Sequence, residues 1–249
     1  MNILVLLAGV IDPKWPASPS DAGLPERPAD RLILSPFDET ALEIALKIRD
    51  ARPETTIRAV VAGGEPATKL ARTICALNVA DVATIDLPAL WDQAAVAREL
   101  ARVCGEVGLV LIGREFGDCD DGLVPPMLAG LLGYAYFGRV QAVETSAGVQ
   151  LLRENGAHEE RLLLDKPLLA SATNDRRSRL RKPLLKNVMT ARQATIRAIK
   201  PADAIDGGVR LVSTRALATT RTPLHCELIE GPLQKQAERL ASLLLEAQP

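Results

Sequence analysis

The chain has 249 residues, 47% of them apolar but only 3% aromatic, and 30 basic against 31 acidic side chains leave a formal net charge of −1. That length holds one large domain or two small ones with a sizeable core, and a core of Leu, Val, Ala and Ile favours layered helix-on-sheet packing over a β-sandwich. The charge balance argues against a nucleic-acid binder, and no apolar run approaches the ~20 residues that span a bilayer.

Asn2–Ala8 (NILVLLA) is a continuous apolar run, the pattern of a strand buried on both faces of a parallel sheet. It is short, lacks a basic leader and is followed by Asp12, so it predicts a first strand and not a signal peptide, in a soluble, cytoplasmic protein. A loop rich in proline (Pro13, Pro16, Pro19, Pro25, Pro28) leads to Ser35-Pro36-Phe37-Asp38 and a helix over Glu39–Ala51, with Ala41, Ile44, Ala45 and Ile48 at helical spacing. Ser35 or Asp38 is expected to cap it.

Ile57–Ala62 predicts the next strand, and Gly63-Gly64 turns it into a helix over Pro66–Leu77. Val82–Asp86 and Leu109–Ile112 are further strands, with helices over Trp91–Gly105 and Pro125–Leu132. Strand and helix thus alternate four times, which predicts an α/β fold with a doubly wound, mostly parallel, Rossmann-like sheet and ligands at the carboxyl ends of the strands. Beyond Gly133, the stretches Phe137–Glu144, Gly148–Arg153, Glu160–Leu164 and Leu168–Thr173 predict short antiparallel strands extending that sheet. Thr173–Arg192 reads as basic and irregular, Ile196–Leu217 as a loose linker, and Pro232–Glu246 as an amphipathic helical arm. The expected division is residues 1–195, a nucleotide-binding-type domain including the basic loop 173–192, and 196–249, the linker and an arm that packs on a partner subunit.

The residues themselves suggest two sites. Gly113–Val124 (GREFGDCDDGLV) is a Gly-containing loop between a buried strand and a helix, where backbone N–H groups and the helix dipole can hold a phosphate. It matches neither the G-x-G-x-x-G nor the P-loop pattern. Locally it reads as a capped helix start in which Asp118, Asp120 and Asp121 complement the dipole, each contributing ~0.3–1 kcal/mol. The second is Arg176–Arg192, where Arg176, Arg177, Arg179, Arg181, Lys182, Lys186 and Arg192 face only Asp175 in sequence. With no aromatic residue for base stacking, it suits an acidic protein surface better than nucleic acid. The thiols Cys75, Cys104, Cys119 and Cys226 contain no C-x-x-C pair, and with His158 and His225 alone no metal spacing arises. They read as buried or incidental reduced thiols. No acid–base or nucleophilic constellation is present, so no catalytic residue is assigned.

Taken in order, I-L-V-L-L…V-I-D (Ile3–Asp12), L-S-P-F-D-E-T-A-L-E-I-A-L (Leu34–Leu46), L-V-L-I-G-R…D-C-D-D-G-L-V-P-P-M-L-A-G-L-L-G (Leu109–Gly133) and R-K-P-L-L-K-N-V-M-T-A (Arg181–Ala191) resemble the beta subunit of electron transfer flavoproteins. L-I-E-G-P (Leu228–Pro232) is similar to the turn before that family's C-terminal arm. The resemblance covers nearly the whole chain. It implies a non-catalytic electron carrier that pairs with an alpha subunit, accepts electrons from a flavin dehydrogenase and does not insert into membranes. FAD would sit mostly on the alpha side, and AMP, or a second FAD in electron-bifurcating relatives, on the beta side.

Carried over by position, the nucleotide would be lined by Leu6, Ser35, Pro36, Phe37, Asp38, Ala62, Gly113, Arg114, Asp118, Cys119, Asp120, Asp121, Gly122, Leu123 and Val124. The partner-recognition segment would comprise Arg176, Arg181, Lys182 and Lys186, with Leu185 at its anchoring leucine. A leucine entering an apolar pocket supplies ~1.5–3 kcal/mol. The chain also departs from the family. Ala8-Gly9 replaces a basic pair after the first strand. Asp121, Leu123 and Pro125 replace a hydroxyl, an amide and a glycine, and Lys182 and Lys186 replace a tyrosine and a proline. A carboxylate opposes phosphate and proline has no N–H to donate, which predicts against AMP binding in the ordinary way. Two alternatives accompany the carrier reading: an adenine-nucleotide-binding regulatory domain without flavin, and a structural subunit with a degenerate AMP site.

Overall fold

The computed structural model describes residues 1–15, 31–87, 90–202, 212–213 and 228–246, and every structural statement below concerns these. They fall in two compact units, Met1–Thr214 and Arg215–Pro249. Pro16, Pro19, Pro25, Pro28, Cys226, His225 and most of the expected linker lie outside the described residues.

In chain order the first unit runs β1 (Asn2–Leu7), β2 (Val10–Ile11), β3 (Leu32–Ile33), α1 (Pro36–Ala51), β4 (Thr56–Ala62), α2 (Thr68–Cys75), β5 (Asp81–Ile85) and α3 (Gln93–Cys104). It continues with β6 (Leu109–Gly113), α4 (Val124–Leu132), β7 (Ala135–Val140), β8 (Ala142–Glu144), β9 (Gln150–Asn155), β10 (His158–Leu163), β11 (Leu168–Ala172), α5 (Leu185–Ala191) and β12 (Arg197–Ile199). Among the described residues seven strands form one parallel sheet, in the order β12-β5-β4-β1-β6-β11-β7.

β1 sits at the centre because its side chains serve both faces. Ile3, Val5 and Leu7 join a core with α1 and α2, whereas Leu4, Leu6 and Ala8 join another with α3 and α4. The two-residue period of a strand thereby sorts neighbours to opposite faces. α1 starts where Ser35 caps it: the Ser35 hydroxyl accepts from the Asp38 N–H at 3.0 Å, and Pro36 needs no partner at the first helical position.

The antiparallel strands expected after Gly133 are present, but β8, β9 and β10 form a three-stranded sheet of their own. Phe137–Val140, expected among them, falls in β7 and is parallel, and Leu168–Ala172 is likewise parallel and lies between β6 and β7. All five of its residues are buried, which an interior position in the main sheet explains. The basic stretch expected to be irregular holds a 3-10 turn (Arg176–Ser178) and α5. Within the expected linker, β12 pairs with β5 at the sheet edge.

The second unit contains α6 (Leu233–Glu246), which buries none of its residues and exposes Leu233, Leu240, Leu244 and Leu245. No helix among the described residues is long and apolar enough to cross a membrane.

Candidate functional site

The carboxyl ends of β1 and β6 meet the start of α1 and the loop 113–124, the position where a doubly wound sheet presents its ligand crevice. Gly113 is required there by close approach: a Cβ would stand 3.1 Å from Asp38 Oδ1 and 3.2 Å from Phe37 Cβ. Asp38 is fully buried, and its Oδ2 accepts from the Ser35 N–H at 3.4 Å. Burial pushes its carboxyl up to about 7, against donors on Ser35, Gly9 and Ala8 that favour the ionised form. Phe37 is half-buried and carries the Arg114 guanidinium over its ring at 4.7 Å, while Arg114 also pairs with Glu115.

Within the loop the three aspartates part company. Asp120 is buried: its Oδ1 accepts from the N–H groups of Gly122 (3.0 Å), Leu123 (2.9 Å) and Val124 (3.2 Å), and its Oδ2 from Phe116 (2.8 Å). Asp118 accepts from the Ile11 N–H at 3.3 Å and so ties the loop to β2. Asp121 is exposed and takes a bond from Gln93 Nε2 at 3.2 Å, and the same amide reaches the Cys119 carbonyl at 3.0 Å. Gln93 was not anticipated from sequence, since it belongs to no recognisable motif, whereas Phe116 lies within the loop the sequence singled out.

The structure therefore brings Ser35, Phe37, Asp38, Gly113, Arg114 and Asp120 to one end of the sheet. Leu6, Ala62 and Val124 are also near, but their side chains belong to the core between the sheet, α3 and α4. Pro36, Cys119 and Leu123 are exposed, and Gly122 is half-buried.

A nucleotide phosphate, which the sequence resemblance implies here, does not fit the donor set. The Val124 N–H is taken by Asp120, Pro125 and Pro126 have none, and the Met127 N–H bonds the Leu123 carbonyl at 3.1 Å. Among the described residues no three His, Cys, Asp or Glu side chains gather as a metal site would require.

The basic segment lies elsewhere and is partly spent within the chain. Arg177 pairs with Asp175, Glu154 and Glu159, and Arg181 with Glu43 and Asp50. The carboxylates of Glu43 and Asp50, which accept from its guanidinium, hold the Arg181 proton more tightly than usual. Arg176, Lys182 and Lys186 are exposed, as are Leu184 and Met189, and Leu185 is 77% exposed at the start of α5. A cleft of about 330 Å³ between α2 and α5 is lined by Lys69, Arg72, Pro183, Val188 and Arg192 among others.

Comparison with known proteins gives the family. Residues 27–204 match the family described as the electron transfer flavoprotein domain. The chain is similar to the mitochondrial electron transfer flavoprotein subunit beta of Oryza sativa subsp. indica, with 30% identity over 82% of this chain and 83% of that one. It is likewise similar to the subunit beta of Bacillus subtilis (25% identity, 98% and 97% covered) and of Homo sapiens (28% identity, 76% of each).

Proposed function

The chain belongs to the electron transfer flavoprotein family as a beta-type subunit, and from that premise we propose that it pairs with an alpha subunit carrying FAD and relays electrons from a flavin dehydrogenase to an acceptor. It is an electron-transfer protein and not an enzyme in its own right. Bound FAD supplies the redox chemistry, and this chain's residues support, dock and orient.

The observation that carries this reading is Leu185. It stands 77% exposed at the head of α5, on a segment that Arg181 ties to α1 through the buried Glu43. An apolar residue held out on a braced segment, flanked by Lys182 and Lys186, suits a brief encounter with an acidic surface around an apolar pocket. Arg176 adds charge to the same docking surface, whereas Arg181 acts as its brace. β12 belongs to the sheet, so within the expected region 196–249 it is α6, with its exposed leucines, that we assign to packing on the alpha subunit. The cytoplasm is the compartment we assign.

The test is electron acceptance. The complex with its alpha subunit is mixed with a reduced flavin dehydrogenase, and flavin bleaching is followed by stopped flow. Rapid reduction supports the assignment. A complex that every such donor leaves oxidised would count against it.

A further inference from the structure

We infer that the loop 113–124 is self-liganded: the Asp120 carboxylate stands where a nucleotide phosphate would be held, so this chain takes neither AMP nor a second FAD through it. The inference rests on the beta-subunit reading, because that family membership is what leads one to expect a nucleotide there.

The support is where the donors at the start of α4 go. At the helix start, Gly122, Leu123 and Val124 all donate to one oxygen of Asp120, and Phe116 donates to the other. The next two positions are Pro125 and Pro126, which have no N–H, and the Met127 N–H is already helical. A phosphate can hold a helix start only through such N–H groups. The other turns at this end of the sheet are committed as well. Gly63 and Gly64 both donate to the Ile85 carbonyl, at 2.9 and 3.0 Å, and Arg114 donates its N–H to the Ala172 carbonyl at 2.8 Å.

Charge points the same way. Residues 113–124 hold one cation, Arg114, against Glu115, Asp118, Asp120 and Asp121, and Arg114 is already paired with Glu115. A phosphate dianion entering here would have to evict a buried carboxylate from four donors and then face the remaining acids. The same carboxylate lets the loop close without any nucleotide, since it satisfies the donors that would otherwise stay orphaned.

The experiment uses the purified heterodimer and two probes, AMP itself and the small molecules released on denaturation. Mass analysis is expected to find FAD, one per heterodimer, and no stoichiometric AMP. Adding AMP to about 5 mM is expected to move the melting temperature by less than ~1 °C, as for a ligand that does not bind the folded state. Asp120→Ala is expected to lower that temperature by roughly 4–8 °C, because the loop loses its internal anion. If Asp120→Ala fails to assemble, Asp120→Asn, which keeps the shape and removes the charge, is expected to show a smaller fall.

One AMP or a second FAD per heterodimer would overturn the inference, as would an unaltered melting temperature in the Asp120 variants. The two readings fail separately. FAD together with AMP would sink the self-liganded loop alone, and absence of both would sink the subunit reading alone.

Discussion

Arg181 reaches Glu43, 138 residues away in sequence, with both its backbone and its side chain: its N–H donates to Glu43 Oε2 at 3.1 Å and its Nη2 to Oε1 at 2.8 Å. Glu43 is only 4% exposed, in the middle of α1, so the pair fastens the segment before α5 to the body of the sheet domain.

Arg181→Ala is therefore expected to cost about 2 kcal/mol. A fully buried pair broken on one side costs ~3–5 kcal/mol, discounted here because the guanidinium is partly solvated. Urea unfolding of variant and wild type checks it, and coincident midpoints would contradict it. The variant is also expected to be cut faster by trypsin after Lys186, since the bond after Lys182 precedes Pro183 and resists cleavage.

Leu185→Ala removes a side chain that this chain does not use for its own packing. Stability is expected to stay within ~0.5 kcal/mol, while kcat/KM for reduction by a donor dehydrogenase falls about 10-fold or more, the equivalent of ~1.5–3 kcal/mol of apolar contact. Unchanged kinetics would remove Leu185 from the docking surface.

Lys182→Glu together with Lys186→Glu reverses two exposed charges beside that leucine. The association rate with an acidic donor is expected to fall by about 10-fold at low salt, with the difference shrinking as ionic strength rises past ~0.15 M. A salt-independent rate, equal in variant and wild type, would show that these lysines do not steer the encounter.

Asp38 gives a pH dependence of definite sign. Its carboxyl titrates at about 7 in the folded chain against an ordinary 3.8, because burial disfavours the charge. The folded state thus binds this proton more tightly than the unfolded state. The associated stability is complete below pH ~4 and is lost as pH rises through about 7. Asp38→Asn is expected to flatten the fall in urea midpoint between pH 5 and pH 8, at roughly 1.4 kcal/mol per pKa unit removed. Identical pH profiles would contradict the assignment.

Much of this was legible in the chain itself, for local reasons. The uninterrupted run from Ile3 to Ala8 and the helical spacing of Ala41, Ile44, Ala45 and Ile48 are periodic signals that tertiary contacts only reinforce. Ser35 and Asp38 at their three-residue spacing announce the cap. The place of Leu168–Ala172 was not legible, because strand order depends on pairings more than 50 residues apart in sequence and a short apolar run fits a parallel or an antiparallel neighbour equally.

The site divides in the same way. Three aspartates in Gly113–Val124 are plain in the sequence, but which of them turns inward is not. Asp120 does so because the backbone from Phe116 to Val124 closes around it, whereas Asp118 and Asp121 are drawn to Ile11 and Gln93 from distant elements. The basic segment likewise looked like a uniform patch. Its real division, with Arg177 and Arg181 bound inward and Lys182 and Lys186 facing out, depends on acids supplied by α1, β9 and β10.

The central claim is that this chain is one half of a flavin-bearing heterodimer. It is tested most directly by expressing the chain alone and together with its alpha subunit, then measuring mass and visible spectrum after purification. The account predicts a colourless chain alone and a yellow, two-subunit complex with FAD when both are made. A stable, flavin-free monomer that ignores the alpha subunit would contradict it.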